Sequence, residues 1–91
     1  MRTPLIAGNW KMNTTVREAV ILVKNMLSDL DAIQGVEKLL CPPYISLSAV
    51  SEIISGTSIE LGAQNMYFKE KGAYTGEISP VMLKDLCTYV V

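Results

Sequence analysis

Several residue types that carry enzyme chemistry are scarce or absent in this sequence. Its 91 residues include no histidine, two cysteines, one tryptophan and one phenylalanine. The absence of histidine removes the commonest general base and metal ligand. No CxxC pair, phosphate-binding P-loop or GxGxxG motif occurs, and we expect neither a metal nor a cofactor. We expect Cys41 and Cys87 to be buried free thiols; a structural disulfide, which would suit a secreted chain, is the alternative.

Charge and hydropathy argue against two classes of partner. The net charge is −1 and no basic run is present, so we expect no binding to nucleic acid. The longest notable apolar run, Ala19–Val23, is far shorter than the roughly 18–20 residues that cross a bilayer, so we expect no membrane association. The apolar N-terminal segment is broken at Asn9 and does not resemble a signal peptide, which makes the cytoplasm the expected location.

The length allows one small domain or a part of a larger one. Hydrophobic residues make up 49% of the chain and charged residues 19%, which is typical of a folded globular protein. Short apolar runs alternate with stretches of helical period. We predict strands at residues 5–10, 36–41, 59–63 and 89–91, and helices at residues 15–31, 46–55 and 80–86. This alternation predicts an α/β fold with a parallel sheet and right-handed crossovers.

Local signals support these assignments. Thr15 and Glu18 have the spacing of a capping box at the start of the first helix. Ser79 and Pro80 are typical of the cap and first position of the third helix. The first strand is almost continuously apolar, which is the pattern of a strand covered on both faces. The inward stripe predicted for the first helix consists of Val16, Val20, Val23, Leu27 and Leu30.

Polar side chains follow the first and third predicted strands. Asn9 and Lys11 come after the first strand, and Gln64, Asn65 and Thr75 come after the third. Because the carboxyl ends of parallel strands meet at one edge of the sheet, where sites of such folds lie, we expect these groups to gather there. The alternative is that they are ordinary polar residues of surface loops.

The segment from residue 64 to residue 78 has no clear period. Loops this long are uncommon in compact domains and are usually functional or flexible. It contains Tyr67, Phe68 and Tyr74, and such aromatic residues are favoured at protein interfaces. They either face a protein partner or fold back on their own sheet.

Four segments carry a resemblance to a known family. They are residues 7–13 (AGNWKMN), 41–43 (CPP), 61–65 (LGAQN) and 72–80 (GAYTGEISP). In this order and spacing they resemble the triosephosphate isomerase family. The resemblance implies a (β/α)₈ TIM barrel, of which residues 1–91 form an incomplete N-terminal part. The chain would cover the first three β/α units and the start of strand four. A different phosphate-binding barrel enzyme with a similar start is a further possibility.

The resemblance also implies an activity and a site. The activity is the interconversion of dihydroxyacetone phosphate and glyceraldehyde 3-phosphate through an enediolate, in glycolysis and gluconeogenesis. Lys11 would be catalytic, and Asn9 and Lys11 would bind the triose phosphate. An ammonium fixed near the carbonyl oxygen stabilises the negative charge that develops there, an effect of about 3 kcal/mol for comparable groups. We expect Trp10 to pack rather than to take part in chemistry.

The family is homodimeric, and its third loop reaches into the partner subunit. The interface residues implied by this resemblance are Gln64, Asn65, Tyr74, Thr75, Gly76 and Glu77. The catalytic histidine and glutamate of the family have no counterpart in residues 1–91, so we expect the isolated chain to be inactive. The alternative is a non-catalytic folding or self-association module derived from a TIM barrel.

Overall fold

The computed structural model describes residues 2–91, which alternate between strands and helices. The elements in chain order are β1 (Leu5–Asn9), α1 (Val16–Ala32), β2 (Glu37–Cys41), a 3₁₀ turn (Tyr44–Ser46), α2 (Leu47–Ile54), β3 (Ile59–Ala63), α3 (Pro80–Lys84) and β4 (Tyr89–Val90). Each predicted strand and helix is present. Their ends differ from the prediction by one to two residues, which is the usual scatter at element boundaries.

The strands form one parallel sheet in the order β1-β2-β3-β4. Each strand therefore pairs with the one before it, and the predicted parallel topology is confirmed. The register sets Asn9 beside Cys41 and Leu40 beside Leu61. As a consequence, β1, β2 and β3 end at one common edge, which we call the carboxyl edge of the sheet.

The core lies between the sheet and its helices. Val23 of α1 and Leu47 and Val50 of α2 are fully buried and pack with Leu40 and Leu61 from the sheet. Of the predicted inward stripe of α1, Val23 is fully buried, whereas Val16 at the start of the helix is exposed. Within residues 2–91, none of the helices has the length and apolar character needed to cross a membrane.

The first strand departs from the prediction. All five residues of β1 are exposed, although its sequence is typical of a strand covered on both faces. β1 lies at the edge of the sheet and pairs only with β2. Sequence composition indicates how apolar a strand is, but the burial of that strand depends on which elements pack against it.

The N-terminus of α1 carries the predicted capping box. The backbone N–H of Glu18 donates to Thr15 Oγ1 (3.2 Å), and the backbone N–H of Thr15 donates to Glu18 Oε1 (2.9 Å). Hydrogen bonding from Thr15 to the carboxylate, chiefly from its backbone N–H, lowers the pKa of Glu18. The cap also fixes where the chain leaves the loop after β1 and enters the helix.

The C-terminus of α1 is capped by a lysine from the neighbouring strand. Lys38 of β2 is only 3% exposed, and its Nζ donates to the carbonyl oxygens of Leu30 (3.0 Å), Asp31 (3.1 Å) and Ile33 (2.6 Å). It also donates to Ser58 Oγ (2.6 Å). A cation at this position satisfies carbonyls that the helix leaves without partners and matches the negative end of the helix dipole.

Asp31 completes this cap. Its carboxylate accepts from the backbone N–H of Ser58 (2.8 Å) and from Ser58 Oγ (2.7 Å). These two hydrogen bonds, with a smaller contribution from the charge of Lys38, lower the pKa of Asp31. The network joins the end of α1, the second residue of β2 and the entry to β3 at the amino edge of the sheet.

The sheet face opposite the helices has no room for a side chain at Gly62. A Cβ atom there would lie 2.9 Å from Cys41 Sγ and 3.3 Å from Leu39 Cδ1. On the same face Tyr89 donates its hydroxyl to Glu37 Oε2 (2.9 Å), which raises the pKa of Tyr89. Glycine at this position therefore leaves room for the side chains of Cys41 and Leu39.

Candidate functional site

The loop after β1 holds Lys11 in an unusual backbone conformation. Lys11 has φ of +55°, a left-handed value that few residues other than glycine adopt. Its backbone N–H donates to Asn9 Oδ1 (3.0 Å), and Asn13 Nδ2 donates to the carbonyl oxygen of Trp10 (2.7 Å). Side-chain amides of the loop thus fix its backbone by local hydrogen bonds, as is typical of asparagine in turns.

Two further contacts bind this loop to the carboxyl edge. The backbone N–H of Trp10 donates to the carbonyl oxygen of Cys41 (3.1 Å). Gln64, which follows β3, donates from Nε2 to the carbonyl oxygens of Lys11 (2.8 Å) and Cys41 (2.8 Å). The predicted meeting of polar groups from the first and third strand ends is therefore observed.

Hydrogen bonds hold the backbone of Lys11, but not its side chain. Lys11 is exposed, and none of the hydrogen bonds within residues 2–91 uses its ammonium group. Trp10, by contrast, is half-buried and packs against the core between sheet and helices, as predicted. Within residues 2–91 the loop therefore presents an ammonium group that makes no hydrogen bond, on a backbone that hydrogen bonds hold in place.

A groove of about 270 Å³ opens beside Lys11 at this edge. It brings together five of the site residues predicted from the sequence. These are Lys11, Gln64, Asn65, Gly76 and Glu77. Asn9 does not line the groove but is hydrogen-bonded to Lys11, which does, and neither Thr75 nor Tyr74 lines it.

Seven further residues line the groove, and none of them was a predicted site residue, although Tyr67 was noted as an aromatic residue of the long loop. They are Met12, Pro43, Tyr44, Ala63, Met66, Tyr67 and Ile78. Pro43 and Tyr44 lie two and three residues after the end of β2. Parallel strands end at one edge of the sheet, and this rule, which predicted the meeting of Lys11 and Gln64, could also have identified them. Met12 and Ala63 adjoin Lys11 and Gln64 in the sequence. Met66, Tyr67 and Ile78 depend on the path of the loop after β3, which has no sequence period.

The tip of this long loop is an ordered turn. The backbone N–H of Glu77 donates to the carbonyl oxygen of Tyr74 (3.0 Å), and Gly76 has φ of +86°. Glycine with positive φ at the third position is the signature of a type II turn. The backbone N–H of Tyr67 donates to the carbonyl oxygen of Ile78 (2.8 Å) and closes the base of the loop.

The loop aromatics contact one another. The ring centroids of Tyr67 and Phe68 lie 4.7 Å apart, as do those of Tyr67 and Tyr74. Lys69 Nζ lies 5.1 Å from the centroid of Phe68. Phe68 is nonetheless 73% exposed and Tyr74 42% exposed. The cluster folds back on its own loop and also leaves an apolar surface open to solvent.

The chemical capacity of the groove follows from its lining. It offers one ammonium group, one carboxylate and two amides, with apolar and aromatic residues between them. Burial raises the pKa of Cys41, and burial together with the nearby Cys41 raises that of Cys87, so both thiols stay protonated near neutral pH. Residues 2–91 contain no cluster of three potential metal-ligating side chains. The groove therefore offers hydrogen-bond donors and acceptors and one charge of each sign to a small polar molecule.

Comparison with known proteins identifies the family to which this chain is similar. The family model "Triosephosphate isomerase" matches residues 4–91. A triosephosphate isomerase of Dehalococcoides mccartyi is 60% identical over 91 residues, which are 100% of this chain and 36% of that protein. One from Clostridium botulinum is 55% identical over 91 residues, again 100% of this chain and 36% of the relative.

A solved structure has the same fold. The crystal structure of triosephosphate isomerase from Bartonella henselae superimposes with a TM-score of 0.88 at 39% sequence identity. The match covers 98% of this chain and 37% of that one. The four-stranded parallel sheet thus corresponds to the first few β/α units of a TIM barrel. The chain spans about 36% of the length of the curated relatives it matches.

Proposed function

The chain belongs to the triosephosphate isomerase family, and from this premise we propose that it supplies the substrate-binding cation of a triose-phosphate isomerase. The reaction interconverts dihydroxyacetone phosphate and glyceraldehyde 3-phosphate, and its place is glycolysis and gluconeogenesis in the cytoplasm. The observation that carries the proposal is the exposed ammonium of Lys11, mounted on a hydrogen-bonded left-handed turn beside a groove.

The chemistry explains why a cation is needed there. A base removes a proton from the carbon next to the carbonyl, and the electron pair left behind moves onto the carbonyl oxygen. The resulting enediolate carries negative charge on that oxygen. A proton then moves from the neighbouring hydroxyl oxygen to this oxygen, and a proton returns to the former carbonyl carbon, which gives the other triose phosphate. Lys11 stabilises that oxygen and also attracts the phosphate.

Asn9 has a supporting role in this proposal. Its side-chain oxygen accepts from the backbone N–H of Lys11, so its amide nitrogen remains to donate to substrate. One asparagine would thus hold the lysine backbone and bind the ligand.

We propose that the 91 residues alone do not catalyse the reaction. They contain no histidine, and the one carboxylate on the groove, Glu77, is assigned below to an interface. A cation without a positioned base binds charge but does not move a carbon-bound proton efficiently. The base and its partner acid would then belong to residues outside this chain.

We propose further that the complete protein is a homodimer joined through the loop after β3. The residues concerned are Gln64, Asn65, Tyr74, Thr75, Gly76 and Glu77. Support comes from the ordered turn at the loop tip and from the exposed aromatic surface formed by Phe68 and Tyr74. Tyrosine and phenylalanine surfaces of this kind are enriched in protein interfaces.

One assay tests activity in two samples. The first sample is the 91-residue chain; the second is a chimera in which residues 1–91 replace the matched stretch of the Dehalococcoides mccartyi relative. In a coupled isomerase assay we expect turnover by the chimera and none by the chain. An inactive but folded chimera would overturn the proposed function. Turnover by the chain alone would overturn the proposal that the chain is inactive, and Glu77 would then be the first candidate for the base.

A non-catalytic self-association module is the second candidate, because β1 leaves a whole strand edge exposed. Light scattering of the 91-residue chain distinguishes it. Defined oligomers of a chain whose chimera lacks isomerase activity would favour this candidate. An active chimera would exclude it as the primary function.

A further inference from the structure

The backbone at Lys11 requires support that the loop itself does not fully provide. A non-glycine residue with φ of +55° is in a sparsely populated region, and such residues persist only where their surroundings fix them. Within the loop, Asn9 fixes the N–H of Lys11. The carbonyl group of Lys11 is fixed from another part of the chain, by Gln64.

Gln64 is well suited to this contact. It is half-buried directly after β3, and its amide nitrogen donates to two carbonyl oxygens at 2.8 Å each, those of Lys11 and Cys41. Since both partners are acceptors, only the nitrogen of the amide can face them, and both of its N–H groups are used. The oxygen of Cys41 also accepts from the N–H of Trp10 (3.1 Å).

These contacts form a closed frame around the base of Lys11. Gln64 links the end of β3 to the end of β2 and to the loop after β1, and Trp10 links that loop back to β2. We propose that Gln64 is a positioning residue, which acts on the reaction through Lys11 by holding its backbone at the carboxyl edge. The inference rests on the proposed function, because it concerns the same cation. It gives the side chain of Gln64 a role within its own subunit.

The substitution Gln64→Glu isolates this role, since glutamate has the same shape but its carboxylate cannot donate. Its oxygen would face two carbonyl oxygens and repel them, and the lysine backbone would shift. Displacements of about 1 Å in a catalytic group can cost on the order of 100-fold in rate. In the chimera we therefore expect kcat to fall roughly 10- to 100-fold, with a smaller change in KM. Gln34→Glu is the matched control, because Gln34 is exposed in the loop after α1.

A double-mutant cycle separates positioning from general support of the fold. If Gln64 acts through Lys11, then Gln64→Glu should have almost no effect on kcat once Lys11→Met is present. An equal fall in both backgrounds would mean that Gln64 does not act through Lys11, and the inference would be wrong. Unchanged kcat in Lys11→Met alone would instead overturn the proposed role of Lys11, so the two failures are distinguishable.

A measurement on the unsubstituted chimera keeps the inference testable if Gln64→Glu does not fold. Nuclear magnetic resonance detects scalar coupling across a hydrogen bond. We expect coupling between Gln64 Nε2 and the carbonyl carbon of Lys11, and a slowly exchanging Gln64 side-chain amide. A freely rotating, rapidly exchanging amide would overturn the inference regardless of the kinetics.

Discussion

The two edges of the sheet use a lysine in opposite ways. At the amino edge, Lys38 is 3% exposed and its ammonium contacts three backbone carbonyls and a hydroxyl. At the carboxyl edge, Lys11 is exposed; the backbone is fixed and the ammonium is free. Lys38 stabilises the fold with its charge, whereas Lys11 keeps its charge available for a ligand. TIM barrels divide stability and chemistry between their two faces in the same manner.

The strongest test of this contrast is Lys11→Met in the chimera. Removal of one preorganised charge-stabilising group costs about 100- to 1000-fold in turnover. Because the side chain is exposed, the free energy of unfolding should change by less than about 0.5 kcal/mol. The coupled isomerase assay and urea unfolding measure the two quantities. Lys24→Met, on the exposed side of α1, is the control and should leave both unchanged.

Lys38→Met should give the opposite result. It removes the charged donor of four part-buried hydrogen bonds. Hydrogen bonds to charged groups contribute about 1.5–3 kcal/mol each when they are well buried, so we expect a loss of roughly 3 kcal/mol in unfolding free energy. Turnover per folded molecule should stay close to that of the unsubstituted chimera. A substantial fall in kcat with unchanged stability would contradict the division between the two edges.

Thr15→Ala tests how much the cap at the N-terminus of α1 contributes to stability, for comparison with Lys38 at its C-terminus. This helix has a hydrogen-bonded cap at each end, the Thr15–Glu18 box at its start and Lys38 at its finish. Loss of a threonine N-cap costs about 1 kcal/mol, so the effect should be about a third of that expected for Lys38→Met. Urea unfolding of both variants provides the ratio. Equal losses would show that the buried lysine is no more important than an exposed cap.

The smallest expected effect is on how the unfolding free energy depends on pH under acidic conditions. The pKa of Asp31 is lowered in the folded chain by its hydrogen bonds to Ser58 and by Lys38. The stabilisation is therefore present above the unfolded pKa, about 3.9, and is lost as the pH falls through the lower folded value. Asp31→Asn should make the unfolding free energy less dependent on pH between about pH 5 and pH 2. The exposed Asp29→Asn is the control and should keep the full dependence.

The sequence predicted the elements well because their signals are local. The capping box at Thr15 and the apolar period through Val23 both lie within one helix, and both are present in the structure. The start of α2 differs by one residue from the predicted 46–55. The carbonyl oxygen of Pro43 accepts from the N–H of Ser46 (2.9 Å), so a 3₁₀ turn at Tyr44–Ser46 precedes the helix. Boundaries depend on such single hydrogen bonds, which no period reveals.

The site was predictable only in part. Strand ends of a parallel sheet share an edge, so the meeting of Lys11 and Gln64 followed from topology. The hydrogen bond from Gln64 to the Lys11 carbonyl did not, because it depends on side-chain geometry across two strands. Lys38 was missed for a related reason: its carbonyl partners come from the end of α1, and charged residues in strands usually face solvent. Long-range polar contacts leave little trace in a single sequence.

The sequential strand order has a consequence for biosynthesis. Because β2 pairs with β1, β3 with β2 and β4 with β3, every new strand finds its neighbour already synthesised. Translation adds about 5–20 residues per second, far more slowly than local pairing. Each β/α unit can therefore dock on the preceding one as it leaves the ribosome, so that a nascent chain grows its sheet in a single direction.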